Sequence, residues 1–147
     1  MTELTYICAT PEESFELGER IGGDLVGGDM LLMFGGLGAG KTLVTKGILN
    51  ALEYDVDEVT SPSFTLVNLY KTSSFDVYHI DLWRLDAKHD AAAAVGLNEI
   101  LENEKAVTII EWADRLDEKT IPSHAISIFI EGDGDESRRI TVKTGKR

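Results

Sequence analysis

Apolar positions recur along the chain in two periods, and their alternation divides it into short segments. Leu4-Thr5-Tyr6-Ile7-Cys8 alternates and predicts a strand. Thr10-Pro11-Glu12-Glu13 then reads as a helix start: Thr10 caps, Pro11 suits the first helical position and Glu13 completes a capping box. Phe15, Gly18, Ile21, Gly22 and Leu25 give that helix an apolar or small face, ending at Gly27-Gly28. Met30 to Phe34 is wholly apolar, the pattern of a strand covered on both faces. Lys41 to Leu52 returns to helical spacing through Leu43, Val44, Ile48, Leu49 and Leu52. Phe64 to Tyr70 and Phe75 to Leu82, separated by Lys71-Thr72-Ser73-Ser74, predict an antiparallel hairpin. Residues 87 to 103, with the alanine run Ala91 to Ala94, predict a helix broken at Gly96. Val107 to Ile110 predicts a second buried strand, and Ala125 to Glu131 with Arg138 to Lys143 a closing hairpin. This order gives an α/β fold with a mixed sheet: a parallel centre, antiparallel additions and flanking helices.

Length changes the picture little: 147 residues fit one domain, 1–147, without internal repeat. No apolar run approaches the roughly 20 residues that span a bilayer. The acidic N-terminus lacks the pattern of a signal peptide, and the lone Cys8 has no disulfide partner, so the expected location is cytoplasmic. Charge says more. With 14 basic against 26 acidic residues the net charge is −12, which argues against a broad grip on nucleic acid. The only basic cluster is Arg138, Arg139, Lys143, Lys146 and Arg147, read here as a solvated edge strand with a frayed end.

Gly35-Gly36-Leu37-Gly38-Ala39-Gly40-Lys41-Thr42 matches the phosphate-binding loop, and it stands between an apolar strand and an amphipathic helix as that loop requires. Residues without a side chain let successive N–H groups curl around an anion, and the helix N-terminus adds its positive end. Gly38, Ala39, Gly40, Lys41, Thr42 and the following Leu43 are therefore the expected nucleotide contacts; Lys41 reaches the β- and γ-phosphates and the Thr42 hydroxyl ligates Mg²⁺.

Hydrolysis also needs carboxylates near the metal. Val107-Thr108-Ile109-Ile110-Glu111 ends an apolar strand in an acid, and Val77-Tyr78-His79-Ile80-Asp81 is a weaker version; by pattern alone each acid is equally a solvated residue at a strand end. Thr60 to Thr65 holds four hydroxyls, a candidate γ-phosphate switch, although an ordinary turn fits better. Trp83, Trp112 and His79 read as packing residues, and Arg84 as a partner-facing or phosphate-sensing cation.

Four segments in register resemble one bacterial family: Leu37 to Thr42, Ser61 to Asn68, His79 to Leu85 and Ile109 to Trp112. The family is TsaE, formerly YjeE, the ATPase of tRNA threonylcarbamoyladenosine biosynthesis, and the similarity runs from about Thr10 to Arg115. The resemblance implies a P-loop NTPase fold, ATP and Mg²⁺ as ligands, and a Mg²⁺-dependent ATPase. Its activity would drive or reset a complex of two sugar-kinase-like proteins that modifies adenosine in ANN-decoding tRNAs, with tRNA contacted only indirectly and no membrane involved. It also implies that Thr42 and Glu111 ligate Mg²⁺ and that Lys41, Asp81 and Glu111 serve hydrolysis. Trp112 would sit beside the nucleotide, and Thr10 near its base or sugar. Gly36, Ser63 and Trp83 depart from the family's usual Asp or Glu, Thr and Tyr; none of these changes removes a phosphate contact or metal ligand.

Two other functions share these residues. A small-molecule P-loop kinase would want an arginine-rich lid, and residues 84 to 147 hold no such cluster before the terminal basic stretch. A non-catalytic nucleotide-gated module would suit the acidic surface. The chain has no N-K-x-D motif for reading guanine.

Overall fold

The computed structural model describes residues 2–36, 38–62, 65–85, 93 and 95–145. Seven strands, β1 (Thr2–Cys8), β2 (Met30–Phe34), β3 (Val67–Lys71), β4 (Asp76–Asp81), β5 (Ala106–Glu111), β6 (Ile126–Glu131) and β7 (Arg138–Thr144), form one sheet in the order β1-β7-β6-β2-β5-β4-β3. The central four, β6, β2, β5 and β4, run parallel, while β7 and β3 are antiparallel to their neighbours β6 and β4, and β1 is antiparallel to β7. The expected mixed sheet with a parallel centre is what forms.

Alternation within the strands explains its two faces. Leu31 and Met33 of β2 pack with Val77, Val107 and Ile109 on one face, under helices α1 (Pro11–Gly23) and α2 (Lys41–Ala51). Met30 and Leu32 pack on the other with Ile80, Ile110 and Leu97 of the short helix α3 (Leu97–Leu101). Both faces of β2 are thus buried, which is why it is wholly apolar; each such side chain contributes about 1.5–3 kcal/mol.

α1 lies directly on α2. A Cβ on Gly18 would overlap the Val44 carbonyl oxygen, and one on Gly47 the Phe15 carbonyl oxygen, so the two backbones touch at positions only glycine can fill. Thr10 caps α1 by accepting from the Glu13 amide at 3.2 Å. The reciprocal bond differs from the expected capping box: Glu13 Oε2 accepts from the Ala9 amide at 2.7 Å, one residue before the cap. Leu17, not Phe15, is the more buried apolar residue of this helix.

Other boundaries shift modestly. α1 ends at Gly23 and α2 at Ala51, and β3 starts at Val67, with Leu66 before it at φ 68°. α3 begins after Gly96 at φ 65°, the predicted break, whereas most of the helix expected before it (87–92 and 94) lies outside the described residues. One expectation is corrected. The basic stretch is no edge strand: β7 lies between β1 and β6, pairing with both, and the edges are β1 and β3. Lys146 and Arg147 lie outside the described residues. Among those described, no helix is long and apolar enough to cross a membrane.

The strand directions decide where chemistry can occur. Cys8, Phe34, Asp81, Glu111 and Glu131 all end strands at the same edge of the sheet, and the antiparallel β3 and β7 begin there with Val67 and Arg138. Loops leaving that edge converge on the N-terminus of α2, where ligands of open α/β sheets bind.

Candidate active site

β2 ends at Phe34 and α2 begins at Lys41, so the glycine-rich loop bridges a buried strand and a helix N-terminus within six residues. Gly38 and Gly40 take φ of 79° and 104°, values open to glycine and costly for other residues. Leu37 lies outside the described residues. Lys41 is only 7% exposed. Its Nζ folds back to donate to the Gly35 and Gly36 carbonyls at 2.7 and 2.9 Å, and it lies 4.6 Å from the centre of the Trp112 ring. Burial pushes the Lys41 ammonium below its ordinary value, opposed by the carboxylates of Glu111, Asp81 and Asp114.

The two strand-end acids are neighbours. Asp81 pairs in register with Glu111 across β4 and β5, and each is 3% exposed, which removes the reading of either as a solvated surface residue. Buried carboxylates persist only where partners hold them. Asp81 Oδ1 accepts from the Trp83 amide at 2.8 Å, and its Oδ2 from the Ser61 hydroxyl at 3.3 Å. Glu111 Oε2 lies 2.6 Å from Nε2 of His79, a residue with no exposed surface. An ionised carboxylate only accepts, so Nε2 is the donor.

Together with Gly38, Gly40, Lys41, Thr42, Ser61, Trp83 and Trp112, these acids line a cleft of about 300 Å³. Trp112 occupies the left-handed region at φ 57° and stacks, tilted, on Trp83 with centroids 4.8 Å apart. Beside them, the Leu66 amide donates to the Pro62 carbonyl, and the Leu66 carbonyl accepts from Asp81 N–H, both at 2.9 Å. Ser63 and Phe64 lie outside the described residues. Arg84 is exposed.

A second pocket, about 160 Å³, opens on the other side of the loop between Cys8, Thr10, Pro11, Ala39, Leu43 and Arg138. Thr10 and Leu43 are therefore placed away from the acids but against the same loop. Arg138 spans the gap: its Nε and Nη2 donate to the Ala39 and Gly38 carbonyls at 2.9 and 3.2 Å, and its Nη2 also to Gly134 at 2.9 Å. Nη1 donates to the Glu136 carbonyl. The turn between β6 and β7 is thereby tied to the phosphate loop. A larger open groove of about 940 Å³ lies between β1 and α1, lined by none of the loop residues.

Sequence reasoning passed over four residues here. Trp83 and Arg138 gave no pattern that set them apart from packing and surface charge. Ser61 was one hydroxyl among four. His79 did leave a signal, because strand alternation puts it on the same face as Asp81.

Comparison with known proteins places this arrangement. A model of the family described as "Threonylcarbamoyl adenosine biosynthesis protein TsaE" matches residues 8–140. The "tRNA threonylcarbamoyladenosine biosynthesis protein TsaE" of Bacillus subtilis is 33% identical over 141 residues, 96% of this chain and 85% of that protein. That of Nostoc is 33% identical over 132 residues, 89% and 79% of the two chains, and that of Treponema pallidum 30% over 139 residues, 95% and 99%. The crystal structure of Bacillus subtilis YdiB superposes with a TM-score of 0.78 at 30% identity, covering 99% of this chain and 87% of that one. The fold is that of a P-loop NTPase, with its loop between β2 and α2 and its acids on the adjacent strands. By the family model and by these relatives, the chain belongs to the TsaE family.

Proposed function

We propose that this chain binds and hydrolyses ATP, and that the turnover serves tRNA threonylcarbamoyladenosine biosynthesis, the process named for its relatives. The observation that carries the reading is one cleft in which Lys41 and Thr42, at the start of α2, face the paired acids Asp81 and Glu111.

Loop amides and the helix terminus favour a polyphosphate, and Lys41 is held in reserve. Its ammonium is bonded to two loop carbonyls, and a γ-phosphate offers it a charged acceptor in their place. The Thr42 hydroxyl and the Glu111 carboxylate are the residues that would hold Mg²⁺, which when bound would neutralise charge on the β- and γ-phosphates. Their chemistry fits: both are hard oxygen donors, and Glu111 is already desolvated. Among the described residues no cluster of three or more His, Cys, Asp or Glu forms a ready-made cation cage. A Mg²⁺ ion here therefore depends on phosphate oxygens and water for the rest of its shell. Asp81, fixed by the Trp83 amide and the Ser61 hydroxyl, supports hydrolysis from the neighbouring strand end. The pocket at Thr10, Ala39 and Leu43 takes the nucleoside, adenine rather than guanine since no guanine-reading motif is present.

The chain works as one P-loop domain, in the cytoplasm, on a pair of sugar-kinase-like proteins that carry out threonylcarbamoyl transfer. A net charge of −12 favours this protein interface over direct tRNA contact. Turnover by the chain alone is expected to be slow, rising when the pair is added, and Lys41→Ala is expected to remove most of both rates. Turnover unaffected by Lys41→Ala would remove the site assignment. Equal association with the pair in ATP, in ADP and without nucleotide would remove the coupling.

A further inference from the structure

The buried partner of Glu111 has no place in the reading above. His79 is on β4 with no exposed surface, its Nε2 2.6 Å from Glu111 Oε2 and its Nδ1 3.3 Å from the Tyr70 hydroxyl on β3. Tyr70, itself 4% exposed, has one O–H proton for two acceptors, the Thr60 carbonyl at 2.9 Å and His79 Nδ1; with Nε2 donating to Glu111, Nδ1 accepts, and the proton directed to it links the two rings. The Thr60 amide and the Asn68 side chain donate back to that hydroxyl at 3.3 and 3.2 Å. Ser61, next along, reaches the carboxylate of Asp81. A chain of hydrogen bonds thus leads from Glu111 through two buried rings to the backbone of Thr60, the neighbour of the Ser61 that holds Asp81.

We propose that His79 is a positioning residue for Glu111, and that Tyr70 couples its orientation to the Thr60-Ser61 segment, so that the two cleft carboxylates are set as a unit. The proposal rests on the ATPase reading. Three physical arguments support it. A glutamate side chain has three rotatable bonds, and a buried donor at 2.6 Å selects one carboxylate orientation. A ring restrained at both nitrogens cannot flip, so the donor stays aimed. Apolar packing alone would be served better by a leucine, because a buried imidazole must recover its lost hydration; here both nitrogens have partners.

The test uses the full chain and Mg²⁺ itself as the probe. ATP affinity is measured by calorimetry with and without Mg²⁺, and kcat and KM are measured alongside, for wild type, His79→Leu, His79→Gln and Tyr70→Phe. Tyr70→Phe keeps the ring that packs on Tyr54 with centroids 5.1 Å apart, and it loses only the hydroxyl, so it remains informative if His79→Leu fails to fold. The expected result for His79→Leu is a Mg²⁺ requirement raised about tenfold and a kcat lowered about tenfold, with Mg²⁺-free ATP affinity unchanged. His79→Gln, which returns an N–H towards Glu111, is expected to recover most of the loss, and Tyr70→Phe to show the same pattern more weakly. An unchanged Mg²⁺ requirement in both His79→Leu and Tyr70→Phe overturns the proposal; so does an equal loss of Mg²⁺-free affinity, the mark of general structural damage. The ATPase reading fails separately, if wild type shows no ATP binding at all.

Discussion

In the cleft proposed for the phosphates, Lys41, Asp81 and Glu111 are almost fully buried and each held by named partners. In the second pocket, proposed for the nucleoside, Thr10, Pro11, Ala39 and Leu43 present small or apolar surface, and the guanidinium of Arg138 is absorbed by main-chain carbonyls. Charge buried in the cleft is costly unless it meets opposite charge, so the cleft is suited to an interaction that strengthens when phosphate and metal arrive. The second pocket gains from shape and area, which are the same for ATP and ADP. Damage to the two should therefore look different: lost turnover and metal dependence at one, an even loss of nucleotide affinity at the other.

The largest effect is expected from Lys41→Ala, which removes the cation while leaving the loop glycines: turnover should fall about 10²–10³-fold in a coupled ATPase assay. Next come Glu111→Gln and Asp81→Asn, which keep shape and lose charge. Turnover should drop about 100-fold for each, with Mg²⁺-free ATP affinity held within about threefold, as read by calorimetry. Normal hydrolysis by both variants with the partner proteins present would return these acids to a structural role. At the second pocket, Arg138→Met frees the β6–β7 turn from the loop. ATP and ADP should weaken together, by about five- to tenfold, consistent with losing about 1–1.5 kcal/mol of hydrogen bonding. A loss confined to ATP would merge cleft and pocket into one. The smallest effect concerns Cys8, 5% exposed on the wall of the second pocket. Burial pushes its thiol up, so alkylation at neutral pH should already be slow, and saturating ATP or ADP should slow it further by about threefold. An alkylation rate indifferent to nucleotide would move the nucleoside elsewhere.

The same division shows in what the sequence made readable. Lys41 and Thr42 stand in a motif whose geometry is local, six residues of loop between a strand and a helix, so their placement needed no knowledge of the sheet. Met30–Phe34 was legible as a strand with the observed bounds because both its faces are covered. Asp81 and Glu111 were visible as strand ends, but that they are neighbours depends on β4 lying beside β5 with matched register, a non-local fact. Arg138 was hidden for the same reason. Its partners at Gly38 and Ala39 lie 100 and 99 positions away in sequence, and nothing nearby distinguished it from Arg139. The basic stretch read as an edge strand because charges usually mark edges; here β1 covers it, and β1 itself carries exposed Leu4 and Ile7.

The most direct test of this two-part site is a crystal structure of the chain with Mg²⁺ and a non-hydrolysable ATP analogue. The account predicts phosphates against the loop amides, Lys41 Nζ turned from the Gly35 and Gly36 carbonyls to the γ-phosphate, the metal between Thr42 and Glu111, and the base between Thr10, Leu43 and Arg138. A nucleotide seated in the groove between β1 and α1, or phosphates at the loop with the metal away from Glu111, would contradict it.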